Sequence, residues 1–178
     1  MKRILKGEIS RFIEGELLQK IKTDLRRYKI VSEGDLQSCV YYHLRRFLRK
    51  DKNWLIYNKT YFTDNSVYPD IFIGKGKTKV RPKILIELKE KKAVKKSRIQ
   101  RDAAKIHKLS QLRKLNGYII YLCRSKTADE TATSINEWVR SKYKRRIKVK
   151  IINAYDVIQK QKWSKFDKTW RLFAKIRL

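Results

Sequence analysis

Two acidic residues lie inside apolar runs that are typical of buried strands. Asp70 opens the run DIFI, and Glu87 lies in the run ILIEL. Acids are scarce, because the chain has 47 Lys and Arg residues against 17 Asp and Glu. Burying a carboxylate is unfavourable unless it is paired with a cation or bound to a metal ion. The placement of these two acids therefore predicts a charged site rather than ordinary core.

The predicted strand 83–89 places Glu87 beside Lys89. Successive side chains alternate between the two faces of a strand, so Leu85, Glu87 and Lys89 share one face. The opposite face carries only Ile and Leu, and apolar residues on both faces are typical of a central strand. We therefore expect Glu87 and Lys89 to be partly buried together at the C-terminal end of this strand.

A hairpin between this strand and a predicted strand at 67–73 would bring Asp70 to Glu87. Pro69 lacks a backbone donor, so it marks a strand start, a bulge or an edge directly before Asp70. Two carboxylates that meet in a half-buried pocket need a cation. Oxygen ligands from one or two carboxylates, completed by water and a substrate phosphate, suit Mg²⁺.

A third acid is selected by helix geometry. In a helix predicted at 32–50, which Ser32 opens as a near capping box with Asp35, each residue advances by about 100°. Glu33 then lies at the centre of the apolar stripe and faces the sheet, whereas Asp35 lies near the solvent side. The helix dipole favours a Glu in the first turn, which explains an acid at this end but not its angular position.

The remaining patterns predict an α/β fold in one domain, 1–178. Further helices are predicted at 8–28, 97–115, 129–143 and from about 155, and further strands at 53–62, 118–123 and 147–152. We interpret Asn116-Gly117 as a left-handed cap that ends the helix before it, and 64–66 as a turn. An antiparallel meander followed by a β-α-β crossover predicts a mixed sheet with helices on its faces. The domain would comprise an N-terminal helical extension (1–30), a core (31–153) and a basic, aromatic C-terminal helix (154–178).

The net charge of +30 favours a polyanionic partner. Nucleic acid is the first candidate, because neutralising phosphates dominates its binding. A membrane partner is disfavoured, since the longest apolar run, 118–123, is far too short to span a bilayer. No signal peptide is evident, so we expect a cytoplasmic protein. Cys39 and Cys123 fit buried apolar positions, and the isolated His43 and His107 do not predict a metal site.

Together these motifs resemble a known family. An inward Glu33 on the first core helix, then Pro69-Asp70, then Glu87-Leu88-Lys89, resembles the PD-(D/E)XK nuclease superfamily. That group includes restriction enzymes, archaeal Holliday-junction resolvases and nucleases of viral and mobile elements. The resemblance covers roughly residues 30–125. It implies a restriction-endonuclease-like core, with a mixed central sheet in α-β-β-β-α-β order flanked by helices, to which N- and C-terminal helices are added.

The resemblance also implies a role for each motif residue. Asp70 and Glu87 would ligate Mg²⁺, with Mn²⁺ as a substitute, helped by the Leu88 carbonyl. Lys89 would orient or activate the attacking water and stabilise charge on the phosphate. Glu33 would complete the metal shell or hold a metal-bound water.

Two polar residues of the helix predicted at 97–115 have two interpretations. Some members of the superfamily place accessory polar groups on this helix near the scissile phosphate, and Asp102 and Lys105 are the candidates here. The spacing favours the alternative, an exposed i,i+3 ion pair on the helix surface.

Clusters of basic residues predict contacts with DNA phosphates, which add affinity without sequence readout. The candidates alternate along the hairpin and then follow the proposed site: Lys75, Lys77, Lys79, Arg81, Lys91, Lys92, Lys95, Lys96 and Arg98. The C-terminal aromatic stripe could stack bases, but its helical spacing favours a core-facing or dimer-forming face: Trp163, Phe166, Trp170 and Phe173.

The leading hypothesis is a Mg²⁺-dependent DNA endonuclease, selective for a structure such as a branched junction. A symmetric homodimer would suit two cuts, although no pattern in the sequence indicates it. The alternative is a basic nucleic-acid-binding protein without catalysis, whose acids are structural.

Overall fold

The structure, a computed structural model, describes residues 3–58, 69–76, 80–91, 96–113, 115–124, 135, 137–139, 141–143 and 146–158, with the backbone alone at 109–113. Its continuous helices are α1 (Lys6–Glu14), α2 (Glu16–Arg26), α3 (Glu33–Leu48), α4 (Lys96–Arg113) and α5 (Ala154–Val157). The strands are β1 (Trp54–Asn58), β2 (Ile71–Lys75), β3 (Arg81–Lys91), β4 (Asn116–Cys123) and β5 (Ile147–Asn153). Residues 135, 137–139 and 141–143 are also helical, within the helix predicted at 129–143. The predicted turn at 64–66 and the aromatic stripe from Trp163 lie outside the described residues.

The five strands form one mixed sheet in the order β1-β2-β3-β4-β5. The first three strands pair antiparallel, and β3, β4 and β5 pair parallel. This confirms the predicted α/β class with a mixed sheet flanked by helices. Among the described helices, none combines the length and the apolar character that crossing a membrane would require.

Strand β3 separates two apolar cores, as its alternation predicts. Ile84, Ile86 and Leu88 are buried in the core that α1, α2 and α3 cover. Leu85 lies in the opposite core, with Ile99 and the other apolar residues of α4. The central strand is therefore covered on both faces, and its residues Leu85 and Glu87 face α4.

The helix predicted at 8–28 is in fact two helices, so that prediction is wrong in one respect. Gly15 has φ −120° and ψ −87° and separates α1 from α2. Apolar residues on both sides of the break, such as Phe12 and Leu17, remain buried. Because the bend keeps the same stripe facing the sheet, the apolar periodicity runs through it and gives no sign of the interruption.

The predicted left-handed cap at Asn116-Gly117 is also wrong. Both residues belong to β4, where Gly117 pairs with Leu85 of β3. A Cβ atom at Gly117 would lie 2.2 Å from Ile106 Cγ2 of α4, far inside ordinary contact distance. The glycine is therefore needed for the close approach of α4 to the sheet.

Candidate active site

Strand β3 buries an ion pair at its C-terminal end. Glu87 is 3% exposed, and Lys89 Nζ lies 2.9 Å from Glu87 Oε1. Both side chains lie on the face that α4 covers, because they share the parity of Leu85. The carboxylate is therefore held inside the sheet layer by a cation of its own strand.

The start of β2 places Asp70 against the same end of β3. Ile71 pairs with Ile86 in the antiparallel ladder, so Asp70 lies opposite Glu87. The Leu88 amide donates a 2.7 Å hydrogen bond to Asp70 Oδ2. Burial raises the pKa of Asp70, and the nearby charge of Glu87 raises it further, against the opposing effect of the Leu88 amide. The two carboxylates are thus close enough to repel each other.

Helix α3 brings Glu33 to this point from the opposite layer. The Ser32 hydroxyl accepts a 3.2 Å hydrogen bond from the Asp35 amide and so fixes the first turn, as the near capping box predicts. Glu33 Oε2 accepts a 3.3 Å hydrogen bond from the Glu90 amide. Gln37 Nε2 donates to the Asp70 carbonyl at 3.1 Å and ties the helix to the start of β2.

One ammonium group lies at the centre of the three acids. Lys89 Nζ is 2.9 Å from Glu87, 3.8 Å from Asp70 and 4.0 Å from Glu33. Because Asp70 and Glu87 contact the same nitrogen atom, their carboxylate groups lie close to each other. Burial alone would lower the pKa of Lys89, but the three carboxylates outweigh it and raise the pKa above its usual value. Lys89 is therefore a permanent cation within an acidic cluster, which we define as Glu33, Asp70, Glu87 and Lys89.

The acids of the acidic cluster offer only carboxylate oxygens, which are the ligands that a hard divalent cation prefers. Nevertheless, the described residues include no group of three or more His, Cys, Asp and Glu side chains arranged to hold a metal ion. The acids close around an ammonium instead, and both oxygens of Glu87 contact lysines. A divalent ion would therefore have to take the place of at least one of these contacts.

Helix α4 adds two polar groups that are half-buried rather than exposed. Lys105 Nζ donates to both oxygens of Glu87, at 3.2 and 3.1 Å. Burial raises the pKa of Asp102 to about 6, with the positive charge of Lys89 opposing the shift. The structure thus places both candidate accessory residues beside the acidic cluster. Lys105 is bonded to Glu87 and does not form the expected exposed ion pair on the helix surface.

No protein-family model matches this chain, and no curated protein or solved structure is significantly similar to it.

A second buried pair borders the acidic cluster and was not predicted. Arg124 Nε lies 3.1 Å from Glu90 Oε1, with 10% and 13% of the two side chains exposed. Burial raises the pKa of Glu90, against the effect of Arg124. Arg124 directly follows the buried strand β4, and its amide donates to the Lys91 carbonyl at 3.2 Å. Its position as the first charged residue after a parallel strand is the signal that could have identified it.

The predicted DNA-binding residues fall into two separate places. Lys75 and Arg81 pair with each other at the end of the β2–β3 ladder, opposite to the end that carries Asp70. Lys91, at the end of β3, lies 3.8 Å from Glu33, and Lys96 and Arg98 are exposed at the start of α4. The other candidates lie outside the described residues: Lys77, Lys79, Lys92 and Lys95.

Proposed function

We propose that this chain is a Mg²⁺-dependent deoxyribonuclease with a restriction-endonuclease-like core that hydrolyses phosphodiester bonds. The observation that carries the proposal is the convergence of Glu33, Asp70 and Glu87 on Lys89 Nζ, from three separate elements. Gathering acids at one point opposes folding unless a cation offsets their charge. In a chain of net charge +30, a local group of acids can hold a cation against an incoming polyanion.

Each residue of the acidic cluster has a distinct task in this proposal. When bound, Mg²⁺, or Mn²⁺ in its place, would lower the pKa of an attacking water and stabilise charge developing on phosphate oxygens. Asp70 and Glu87 would hold the ion, together with the Leu88 carbonyl, and Glu33 would complete the metal shell or hold a metal-bound water. Lys89 keeps its charge, because its pKa is raised, and donates to the water or to a phosphate oxygen.

The substrate in this proposal is DNA, bound mainly through its backbone. Lys91 contacts Glu33 of the acidic cluster, and the exposed Lys96 and Arg98 lie at the start of α4, the helix that also carries Lys105. These cations can neutralise phosphates near the scissile bond. Branched DNA presents several backbones to a strongly basic surface, which supports a structure-selective activity. A homodimer would place two such sites on one branch point.

A second function is favoured by one specific observation. Both oxygens of Glu87 are held by lysines of the chain itself, as in a purely structural ion cluster. In that case the protein binds nucleic acid without cutting it.

A cleavage assay separates the two functions. Wild-type protein is incubated with duplex, single-stranded, flap and four-way DNA, each with Mg²⁺, Mn²⁺ or EDTA. Asp70→Asn and Glu87→Gln are compared with Asp156→Asn, which makes the same change at an exposed acid outside the acidic cluster.

The nuclease proposal expects cleavage that requires the divalent ion. Both cluster variants should lose activity by at least about 10²-fold, while Asp156→Asn retains it. If no substrate is cut with either metal, or if the cluster variants cut as fast as Asp156→Asn, the binding-only function replaces it.

A further inference from the structure

A cleft on the helical layer is separate from the acidic cluster. It opens between α1–α2 and α3 and encloses about 380 Å³. Phe12 and Phe47, which line it, stack with ring centroids 4.2 Å apart and planes inclined by 16°. We call it the α3 cleft and define it by Phe12, Glu16, Lys20, His43, Arg46, Phe47, Arg49 and Lys50. Its volume is large enough for a phosphate with part of the attached sugar.

The α3 cleft is strongly cationic. Lys20, Arg46, Arg49 and Lys50 line it, against a single acid, Glu16. Glu16 is already paired with Lys20, at 3.2 Å. In the part of the chain that the structure describes, Arg46, Arg49 and Lys50 are exposed and have no ion pair.

Basic residues are favoured near a helix C-terminus by the helix dipole, which accounts in part for Arg46 in the last turn of α3. Lys20 reaches the same cleft from α2, where Glu16 offsets its charge. Among the described residues, the cations of the cleft without an ion pair are Arg46, Arg49 and Lys50, at the C-terminal end of α3. Like charges that lie close together repel each other unless an anion offsets them, so this group favours an anionic ligand.

The length of α3 sets the distance between this cleft and the acidic cluster. Glu33 lies at the first residue of the helix and Arg46 in its last turn. At about 1.5 Å per residue, the two positions are about 20 Å apart along the axis. Neighbouring base pairs of duplex DNA are about 3.4 Å apart, so the same duplex could present phosphates to both places about six base pairs apart.

We propose that the α3 cleft binds backbone phosphates of the nucleic-acid substrate at a second contact, about 20 Å from the acidic cluster. This inference rests on the proposed function in one respect, the nucleic-acid identity of the substrate, and it does not require that the protein cuts that substrate. A repeating phosphate backbone can reach both the α3 cleft and the acidic cluster at once, whereas an isolated anion can occupy only one of them. The position of the cleft would thus determine the minimum length of duplex, measured from the scissile bond, that makes both contacts.

The test measures binding without cleavage, in EDTA, by fluorescence anisotropy with a 24-base-pair duplex. Arg46→Gln/Arg49→Gln removes two cleft charges, and Arg46→Glu/Arg49→Glu reverses them. The matched controls are Arg11→Gln/Arg26→Gln and Arg11→Glu/Arg26→Glu, at exposed arginines outside the cleft. Thermal melting checks that each protein is folded, and poly-glutamate is a competing ligand of different chemistry.

The neutralised cleft variant should bind the duplex at least tenfold more weakly at 0.1 M salt, with the control within threefold of wild type. Two lost phosphate contacts should also reduce the slope of log affinity against log salt by about 1.8. Equal affinities and slopes for folded cleft and control variants overturn the proposal. Weaker poly-glutamate binding with unchanged DNA binding also overturns it and assigns the cleft to an acidic peptide.

The outcome is distinguishable from failure of the nuclease proposal. If wild type cuts nothing but the cleft variants lose DNA affinity, the second contact is supported and catalysis is not. If wild type cuts and the cleft variants bind as the controls do, the nuclease is supported and the cleft assignment is wrong.

Discussion

The ammonium of Lys105 on α4 donates to both carboxylate oxygens of Glu87 on β3, at 3.2 and 3.1 Å. This contact crosses from a helix to a central strand and joins the α4 layer to the acidic cluster. Glu87 therefore depends on two lysines, one from its own strand and one from the covering helix.

Removing Lys105 should destabilise the fold, because a buried carboxylate loses one of its two cations. We expect Lys105→Met to lower the free energy of unfolding by about 1–2 kcal/mol, measured by urea denaturation. Lys108→Met, at an exposed lysine of the same helix, is the control and should change it by less than about 0.5 kcal/mol. In a Glu87→Gln background the effect of Lys105→Met should shrink, and an undiminished effect would show that Lys105 acts elsewhere.

Asp102 predicts a pH dependence of stability. Its pKa of about 6 in the folded protein exceeds the value near 3.9 in an unfolded chain, so the folded state holds the proton more tightly. The stabilising contribution of protonated Asp102 is therefore complete below about pH 4 and lost as the pH rises through about 6. Because the side chain is partly exposed, we expect Asp102→Asn to be more stable than wild type by on the order of 1 kcal/mol at pH 7.5.

Urea denaturation at pH 4 and pH 7.5 measures this effect. The advantage of Asp102→Asn should largely disappear at pH 4. An advantage that is equal at both pH values would point to a cause other than the ionisation of Asp102.

Replacing Lys89 should leave three acids without their shared cation. We expect Lys89→Met to lower the free energy of unfolding by about 3 kcal/mol and the melting temperature accordingly. If the acids can accept a divalent ion, 10 mM MgCl₂ should raise the melting temperature of Lys89→Met more than that of wild type, by linkage of binding to folding.

Differential scanning fluorimetry provides the measurement, with NaCl at matched ionic strength as the control. Equal shifts in the two salts would mean that the acids do not bind Mg²⁺. This result would count against a divalent-cation site, and it requires no measurement of cleavage.

Gly117 and Gly7 form a matched pair for the packing of α4. Gly117→Ala forces a Cβ to within 2.2 Å of Ile106 Cγ2, whereas a Cβ added at Gly7 of α1 would have no atom of the described residues within 4 Å. We expect Gly117→Ala to lower the free energy of unfolding by about 2–3 kcal/mol, and Gly7→Ala to leave it unchanged or raise it by up to about 1 kcal/mol. Chemical denaturation of the two variants compares them, and similar values would contradict the close approach of α4 to β4.

The parts of the site that lie on one strand were predictable, because strand parity is a local rule. Parity correctly placed Glu87 with Lys89, and the hairpin brought Asp70 to them. Helix angle likewise pointed Glu33 toward the sheet. Each of these inferences needs only the repeat of one element and its immediate neighbour.

The parts that were missed or left open depend on contacts between elements. Lys105 was named as an accessory candidate, with an exposed ion pair as the favoured alternative. It reaches Glu87 because Gly117 lets α4 approach the sheet, and an Asn-Gly pair is locally typical of a turn. The bend at Gly15 leaves the buried stripe intact, so periodicity cannot reveal it. The pairing of Arg124 with Glu90 follows from the register of parallel strands, which local patterns do not specify.

The acidic cluster is assembled from distant stretches of chain, since Glu33 and Asp70 reach Lys89 from two other elements. The separation is large, because Glu33 also bonds the amide of Glu90, the residue after Lys89, across 57 positions. Contacts with large sequence separation form late in folding, because long loops must first close. A nascent or partly folded chain therefore has its positive charge before it has its group of acids. During synthesis such a chain can adhere to nucleic acid, but the proposed cutting centre does not exist until α3 has docked on the sheet.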